Sequence, residues 1–241
     1  HTGWVDPHFE YEKALSDFID KALDRDISGQ FIDEFIRFQQ KISSYGIFNS
    51  ISQCLLKIVS PGLPDFYQGT ELLDLSLVDP DNRREVDFLK RADILRQLKQ
   101  SEINSGFLRD LLMESTEGRV KMFLIYRCLE ARRRNKELFQ SGCYKHLKTG
   151  GVFKRSIIAF AREWGEERMI VAVPRFLVSV ISPDELPLGA KVWKDTYVEI
   201  PQGVFTCKEE ITGRELTFEN GINAGELFES FPAALLIGKC P

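Results

Sequence analysis

The sequence is poor in the residues that most often bind metals or form redox pairs. It has three histidines and five cysteines among 241 residues, and no two cysteines are spaced as CxxC. A structural zinc site needs four such ligands close together, so neither the number nor the spacing favours one. An odd number of scattered cysteines is typical of free thiols in a reducing compartment. We therefore expect a cytoplasmic protein with no metal and no organic cofactor.

Long apolar runs are also absent from the sequence. No run approaches the roughly 18 residues that span a bilayer, and the first residues show no signal-peptide pattern. The formal net charge is −4, whereas nucleic-acid-binding domains usually carry a strongly basic surface. The sequence thus predicts neither a membrane nor a nucleic acid as partner. Hydrophobic residues make up 43% of the chain, which is enough for a packed core in one or two domains.

The first part of the chain carries apolar side chains at helical spacing. Three such stripes cover residues 11–23, 31–42 and 48–59. Asp6-Pro7 is a favourable helix start, because Asp accepts the first free N–H groups and Pro fits the first helical position. We expect interruptions at Gly29 and at Ser44-Tyr45-Gly46, and an end at Pro61-Gly62. Further amphipathic helices are predicted at 88–99, 103–114 and 119–137.

From about residue 143 the apolar pattern changes to a period of two, and turn residues become frequent. We predict paired strands at 156–162 and 169–173, joined by a turn at 164–167. Further strands are predicted at 176–181, 191–197, 204–207, 216–218 and 233–237. Short strands separated by Gly and Pro are typical of an antiparallel sandwich or barrel. This pattern divides the chain into a mostly helical domain, 1–142, and an antiparallel β-sandwich domain, 143–241.

The densest group of functional side chains lies between residues 65 and 87. Carboxylates, amides, guanidinium groups and an aromatic ring in one segment can hold a sugar through bidentate hydrogen bonds and ring stacking. The residues alone leave two interpretations open: a sugar or phosphate-ester site, or a structural loop held by its own ion pairs, since Asp81-Asn82 also favours a turn. The group consists of Asp65, Tyr67, Gln68, Glu71, Asp74, Asp79, Asp81, Asn82, Arg83, Arg84, Glu85 and Asp87.

Two motifs in this part of the chain resemble known enzymes. The segment PGLPDFYQGTE, residues 61–71, is similar to the eighth-strand motif of the α-amylase superfamily. The segment LVDPDNRREVD, residues 77–87, is narrower, and together with Gln68 it resembles the maltooligosyltrehalose synthase family. Gly3 and Glu85 depart from that family, where Ser and Pro are usual. Shorter matches occur along the rest of the chain: His1-Thr2-x-Trp4 before these motifs, and AFAR at 159–162, VPR at 173–175, VWKDT at 192–196 and PAALL at 232–236 after them.

The resemblance implies a (β/α)₈-barrel enzyme of the glycoside hydrolase type that acts in trehalose biosynthesis. Such enzymes are isomerases: they convert the reducing-end α-1,4 bond of a maltooligosaccharide into an α,α-1,1 bond by intramolecular transglucosylation. Residues 1–142 are then the C-terminal part of the barrel domain, with the last barrel strand at Phe66-Tyr67. In the family, the motifs that carry the aspartate nucleophile, the glutamate acid/base and the second aspartate lie before the His1-Thr2-x-Trp4 match. We therefore expect no catalytic residue in this chain.

The same resemblance defines the expected site and partners. The predicted substrate-binding residues are Tyr67, Gln68, Glu71, Asp79, Asp81, Asn82 and Arg83. The expected partners are a maltooligosaccharide and the rest of the barrel. Two alternatives remain open, an α-glucan-binding module and a purely structural module, each without activity in this chain alone. A single barrel strand has two unpaired edges, so we also expect self-association.

Overall fold

The computed structural model describes residues 1–114, 117–183 and 185–239. The chain divides into two compact units, residues 1–44 and residues 45–241. In the first unit no residue is buried, whereas the second unit contains an extensive hydrophobic core. Among the described residues, no helix combines the length and the apolar character that a membrane span requires.

The helices lie mainly in the first part of the chain. They are α1 Phe9–Leu23, α2 Arg25–Val59, α3 Phe88–Gln100, α4 Ser105–Met113, α5 Arg119–Arg134, α6 Lys136–Ser141, α7 Gly189–Trp193 and α8 Ala224–Leu227. The predicted helices at 88–99, 103–114 and 119–137 are thus confirmed as α3, α4 and α5, with α6 as a separate helix. The predicted start of α1 at Asp6-Pro7 is wrong by two residues, because the ring Nδ1 of His8 accepts the Tyr11 N–H at 3.1 Å and caps the helix.

Helix α2 is kinked near its start and continuous thereafter. Ser28 has non-helical angles, φ −123° and ψ 30°, which agrees with the predicted break beside Gly29. The predicted interruption at Ser44-Tyr45-Gly46 is wrong, because the helix runs through it. A glycine inside a helix costs about 1 kcal/mol relative to alanine. Tertiary contacts offset that cost: the Tyr45 hydroxyl donates to the carbonyl of Ile181 at 3.0 Å and its ring is buried.

The strands of the described residues form one antiparallel sheet. They are β1 Cys143–His146, β2 Thr149–Gly150, β3 Ile157–Trp164, β4 Glu167–Pro174, β5 Tyr197–Glu209, β6 Glu215–Asn223 and β7 Ala234–Lys239. Their order is β1-β3-β4-β7-β5-β2, with β6 also paired to β5. The predicted hairpin is confirmed, since β3 pairs with β4 as far as Trp164 opposite Glu167. The long β5 pairs with β2 near its start and with β7 near its end, so the strands share one sheet instead of the two sheets of a sandwich.

Three predicted strands are not strands in the structure. Residues 176–181 contain a 3₁₀ turn, Leu177–Ser179. Most of 191–197 belongs to α7, a short helix that buries Trp193, whose indole N–H donates to the Pro187 carbonyl at 2.9 Å. Phe66-Tyr67 has no regular structure, because a strand needs a neighbour for its hydrogen bonds and none of the described strands pairs with it. The last barrel strand expected from the family motif is therefore not confirmed, and the barrel remnant as a whole stays a prediction.

The helices and the sheet of the second unit share one hydrophobic core. Leu55 and Ile58 of α2 and Phe123 of α5 contribute to it together with Val171 of β4 and Leu235 of β7, and all of them are fully buried. The two sides of residue 142 thus pack against each other. The division of the chain at that residue into two domains stays a prediction.

A buried arginine joins the sheet to two helix ends. Arg162 on β3 is only 1% exposed. Its guanidinium donates to the carbonyl of Val59 at 3.3 Å, to that of Phe139, and to that of Gly142 at 3.1 and 3.2 Å. Val59 ends α2, and Phe139 and Gly142 lie at the end of α6. These carbonyls have no partner inside their helices, so one side chain satisfies several acceptors and complements the negative ends of both helices.

The carboxylate of Glu209 is buried, which makes the stability of the chain depend on pH. This carboxylate is 2% exposed and accepts the N–H groups of Ile211 at 3.2 Å, Thr212 at 2.6 Å and Leu235 at 3.1 Å. Burial raises the pKa of Glu209 despite these hydrogen bonds. The folded chain therefore holds this proton more tightly than the unfolded chain, and the free energy of unfolding contributed by Glu209 falls as the pH rises from about 4 through the raised pKa.

The comparison with Glu209→Gln isolates this effect. We expect the stability of the native sequence relative to Glu209→Gln to be greatest near pH 4 and to decline as the pH rises, as measured by urea unfolding at a series of pH values. Glu215→Gln, at an exposed position of β6, controls for the loss of one carboxylate. A difference that stays constant or grows with pH contradicts the prediction.

Candidate functional site

The segment 60–87 connects α2 to α3 and is fixed at its middle. Its regular structure is a single 3₁₀ turn, Asp81–Arg83. The Leu72 side chain is buried in the core, and the Lys121 ammonium donates to the Leu72 carbonyl at 3.3 Å. Gly118 lies so close that a Cβ there would overlap the backbone of Leu72 and Leu73. The centre of the segment is therefore held against the start of α5.

Arg91 on α3 holds the residues before this anchor. Its Nε donates to the Glu71 carboxylate at 3.2 Å, its Nη2 to the Gly69 carbonyl at 2.6 Å, and its Nη1 to the Asp87 carbonyl at 3.2 Å. Gly69 has a φ of +90°, which side-chain-bearing residues rarely adopt, and Val86 lies 3.2 Å from the position that a Cβ would take. The residues just before the Leu72 anchor and the last residue of the segment thus meet at Arg91.

A polar cavity of about 390 Å³ lies between these parts of the segment. This volume is at the lower end of the range for small-molecule sites. Its lining residues are Gln68, Gly69, Leu73, Asp74, Leu75, Ser76, Asp81, Asn82, Arg84, Glu85, Val86 and Arg91. Asn82 Oδ1 is buried and has no hydrogen-bond partner among the described residues. The cavity therefore offers an acceptor that a hydroxyl group of a ligand could satisfy.

Two carboxylates of the cavity are stabilised in the ionised form. The Asp81 carboxylate accepts the Leu77 N–H at 2.8 Å and pairs with Arg84, and the hydrogen bond from Leu77 is the main cause of its lowered pKa. Hydrogen bonds from the hydroxyl and the N–H of Ser76 lower the pKa of Asp74. The described residues include no cluster of three or more His, Cys, Asp or Glu side chains able to hold a metal ion.

The structure brings together some of the predicted binding residues. Gln68, Asp81 and Asn82 line the cavity. Asp79 and Arg83 form an exposed ion pair at 2.9 Å and are not part of its lining.

Tyr67 and Glu71 are also outside the lining. The Tyr67 side chain is exposed and its carbonyl accepts the Thr70 hydroxyl at 2.7 Å, while Glu71 pairs with Arg91. Substrate binding by all seven residues stays a prediction.

Arg91 is a site residue that the sequence analysis missed. It lies outside the segment 65–87, on the helix that follows, and two of its three acceptors are backbone carbonyls. Residue types do not reveal such contacts. The sequence feature that could have pointed to Arg91 is its position one helical turn after Asp87. The Asp87 side chain caps α3 by accepting the Lys90 N–H at 2.8 Å.

The chain is similar to one enzyme over almost its entire length. No family model matches it. Proteins assigned as maltooligosyl trehalose synthase in Mycobacterium tuberculosis, strains CDC 1551 and H37Rv, are 30% identical to it over 237 residues. The match covers 98% of this chain and 26% of each relative. The chain thus spans about a quarter of the length of these relatives.

Solved structures give the same result. The maltooligosyltrehalose synthase of Arthrobacter ramosus is 29% identical, with a TM-score of 0.75, and the match covers 99% of this chain and 28% of that one. A second maltooligosyl trehalose synthase structure has a TM-score of 0.68 at 28% identity. The resemblance that was inferred from the motifs is confirmed: this chain is homologous to a segment of these enzymes.

Proposed function

Starting from this homology to a segment of maltooligosyltrehalose synthases, we propose that the chain is the C-terminal portion of such an enzyme. The observation that carries the proposal is the similarity over 98% of the chain. The complete enzyme would be an isomerase that turns the reducing-end α-1,4 bond of a maltooligosaccharide into an α,α-1,1 bond. A retaining mechanism fits this reaction, because a covalent glycosyl-enzyme can be attacked by a sugar hydroxyl instead of water.

The charge of the cavity supports a neutral sugar as ligand. Three carboxylates, Asp74, Asp81 and Glu85, face it together with the two guanidinium groups of Arg84 and Arg91. The excess of negative charge disfavours a phosphate ester, which was the other ligand class compatible with the residue types. Hydroxyl groups donate to carboxylate and amide oxygens and accept from guanidinium groups, so a polyhydroxylated ligand can use both.

Exposed apolar side chains support the view that this chain forms part of a larger enzyme. Leu75, Leu77 and Val78 beside the cavity are exposed, and residues 1–44 have no core of their own. Large apolar surfaces of this kind usually mark sites of contact with other protein surfaces. We propose that the absent three-quarters of the enzyme covers them and supplies the remaining walls of the sugar site.

The catalytic groups are proposed to lie in the part of the enzyme outside this chain. We expect no loss of reducing ends when this chain is incubated with maltopentaose. A protein that contains this chain together with the rest of the enzyme should remove reducing ends while releasing little glucose. Loss of reducing ends with this chain alone would show that its own carboxylates are catalytic and would overturn this part of the proposal.

A titration with maltoheptaose separates the proposal from its alternatives. Because the rest of the enzyme would supply further walls of the sugar site, we expect weak binding to this chain alone, detected as NMR shift changes of residues 68–86. Binding tighter than millimolar would favour a self-sufficient α-glucan-binding module. No shift changes at all would favour a purely structural module. Maltoheptaitol, the same glucan with its reducing end reduced, tests whether a closed reducing-end ring is needed.

A further inference from the structure

We propose that Arg91 is a positioning residue of the sugar site, which sets the shape of the cavity by clamping Gly69 and Glu71 to helix α3. The inference rests on the proposed function, in which the cavity is part of an α-glucan site. Arg91 lines the cavity, yet its three guanidinium nitrogens already donate to protein acceptors, at 2.6–3.2 Å. It therefore fixes its neighbours in place.

The clamp connects the two walls of the cavity. Gln68 and Gly69 form one wall, and the other consists of Asp81, Asn82, Arg84, Glu85 and Val86. Arg91 is bonded to Gly69 and Glu71 on the first side and to the Asp87 carbonyl directly after the second. The Gln68 side chain is adjacent to the clamped Gly69, so its position relative to Asn82 depends on this one guanidinium group.

The chemistry of the clamp requires an arginine. The guanidinium is a rigid planar fork whose several N–H groups can reach separate acceptors at once. A lysine ammonium is a single point and cannot span Gly69, Glu71 and Asp87 together. Arg91→Lys keeps the positive charge but should lose much of the clamp. This variant therefore distinguishes the effect of the side chain's geometry from that of its net charge.

The contacts of Arg91 are local and do not belong to the core. All three acceptors lie between residues 69 and 87, within the segment that forms the cavity. Its side chain is 19% exposed, and its loss should loosen this segment without unfolding the sheet or the helices. Arg96 is a matched control on the same helix, since its exposed guanidinium pairs with Asp93 at 2.8 Å.

Hydrogen exchange of the complete 241-residue chain tests the clamp without a ligand. For Arg91→Ala we expect the amides of residues 68–71 to exchange at least about tenfold faster, while the urea midpoint stays close to that of Arg96→Ala. Arg91→Lys should give a smaller increase. Unchanged exchange of residues 68–71 in Arg91→Ala overturns the proposal.

Maltoheptaose titration of the same variants tests the link to the sugar site. We expect Arg91→Ala to bind maltoheptaose about tenfold more weakly than the native chain. Added methylguanidinium should restore binding by occupying the position of the missing guanidinium group. Arg96→Ala should bind like the native chain. Equal affinity of Arg91→Ala and the native chain overturns the proposal. If exchange increases but the native chain binds no glucan, the clamp is established and the proposed sugar site of this chain fails.

Discussion

Replacing Arg162 by methionine is expected to destabilise the chain by about 3–5 kcal/mol. Methionine keeps much of the length of the side chain but removes every donor. The carbonyls of Val59, Phe139 and Gly142 would then be left without the hydrogen bonds that Arg162 gives them inside the protein. Urea unfolding of the two proteins measures the difference directly.

Arg133→Met is the control for this substitution. Arg133 is exposed and pairs with Glu130 at 2.8 Å on the surface of α5, and such pairs contribute about 1 kcal/mol or less. Arg162→Lys should fall between the two, because one ammonium cannot reach all three carbonyls. If Arg162→Met costs no more than Arg133→Met, the buried guanidinium is not what holds the ends of α2 and α6.

Local patterns predicted the elements whose residues decide their own conformation. The apolar side chains of α3, α4 and α5 recur at helical spacing, and β3 and β4 are two largely apolar segments joined by a turn at Gly165. In α4 the buried side chains, Leu108, Leu111 and Leu112, lie on one face of the helix, whereas β3 and β4 bury side chains of both faces. Sequence and fold agree there because burial and local propensity favour the same conformation.

The errors occur where a distant contact decides the conformation. Helix α2 continues through Gly46 because Tyr45 is buried and bonded to Ile181, more than a hundred residues away. The segment 191–197 alternates like a strand, yet burial of Trp193 against Phe228, with ring centroids 5.1 Å apart, favours a short helix. Phe66-Tyr67 has the motif of a strand but no strand to pair with in this chain.

The site was predictable in composition but not in geometry. Gln68, Asp81 and Asn82 were identified by type and motif, and they do line one cavity. The ion pairing of Asp79 with Arg83 is an equally reasonable outcome for the same residue types. The choice between the two depends on how the backbone turns at Asp81–Arg83 and on the carbonyls that Arg91 reaches, and neither is encoded in a local pattern.

The expected self-association has a different structural basis from the one first inferred. No orphan strand is formed at residues 66–67. The first unit instead exposes apolar side chains along one face of α2 at helical spacing, each more than half exposed: Phe31, Phe35, Phe38 and Ile42. A helix with so few tertiary contacts is only marginally stable in water. Burying this face against a second copy of the chain would therefore stabilise the helix.

We therefore expect the chain to associate in a concentration-dependent way through the Phe31–Ile42 face. Burying a phenylalanine contributes about 1.5–3 kcal/mol, so the triple variant Phe31→Gln, Phe35→Gln, Phe38→Gln should weaken association more than about a hundredfold. Light scattering after size exclusion measures the mass at each concentration. The control variant Gln30→Ala, Glu34→Ala, Arg37→Ala leaves the apolar face intact and should associate normally. The prediction is contradicted if the native chain is monomeric at every concentration. It is also contradicted if the control variant dissociates as much as the triple Phe→Gln variant.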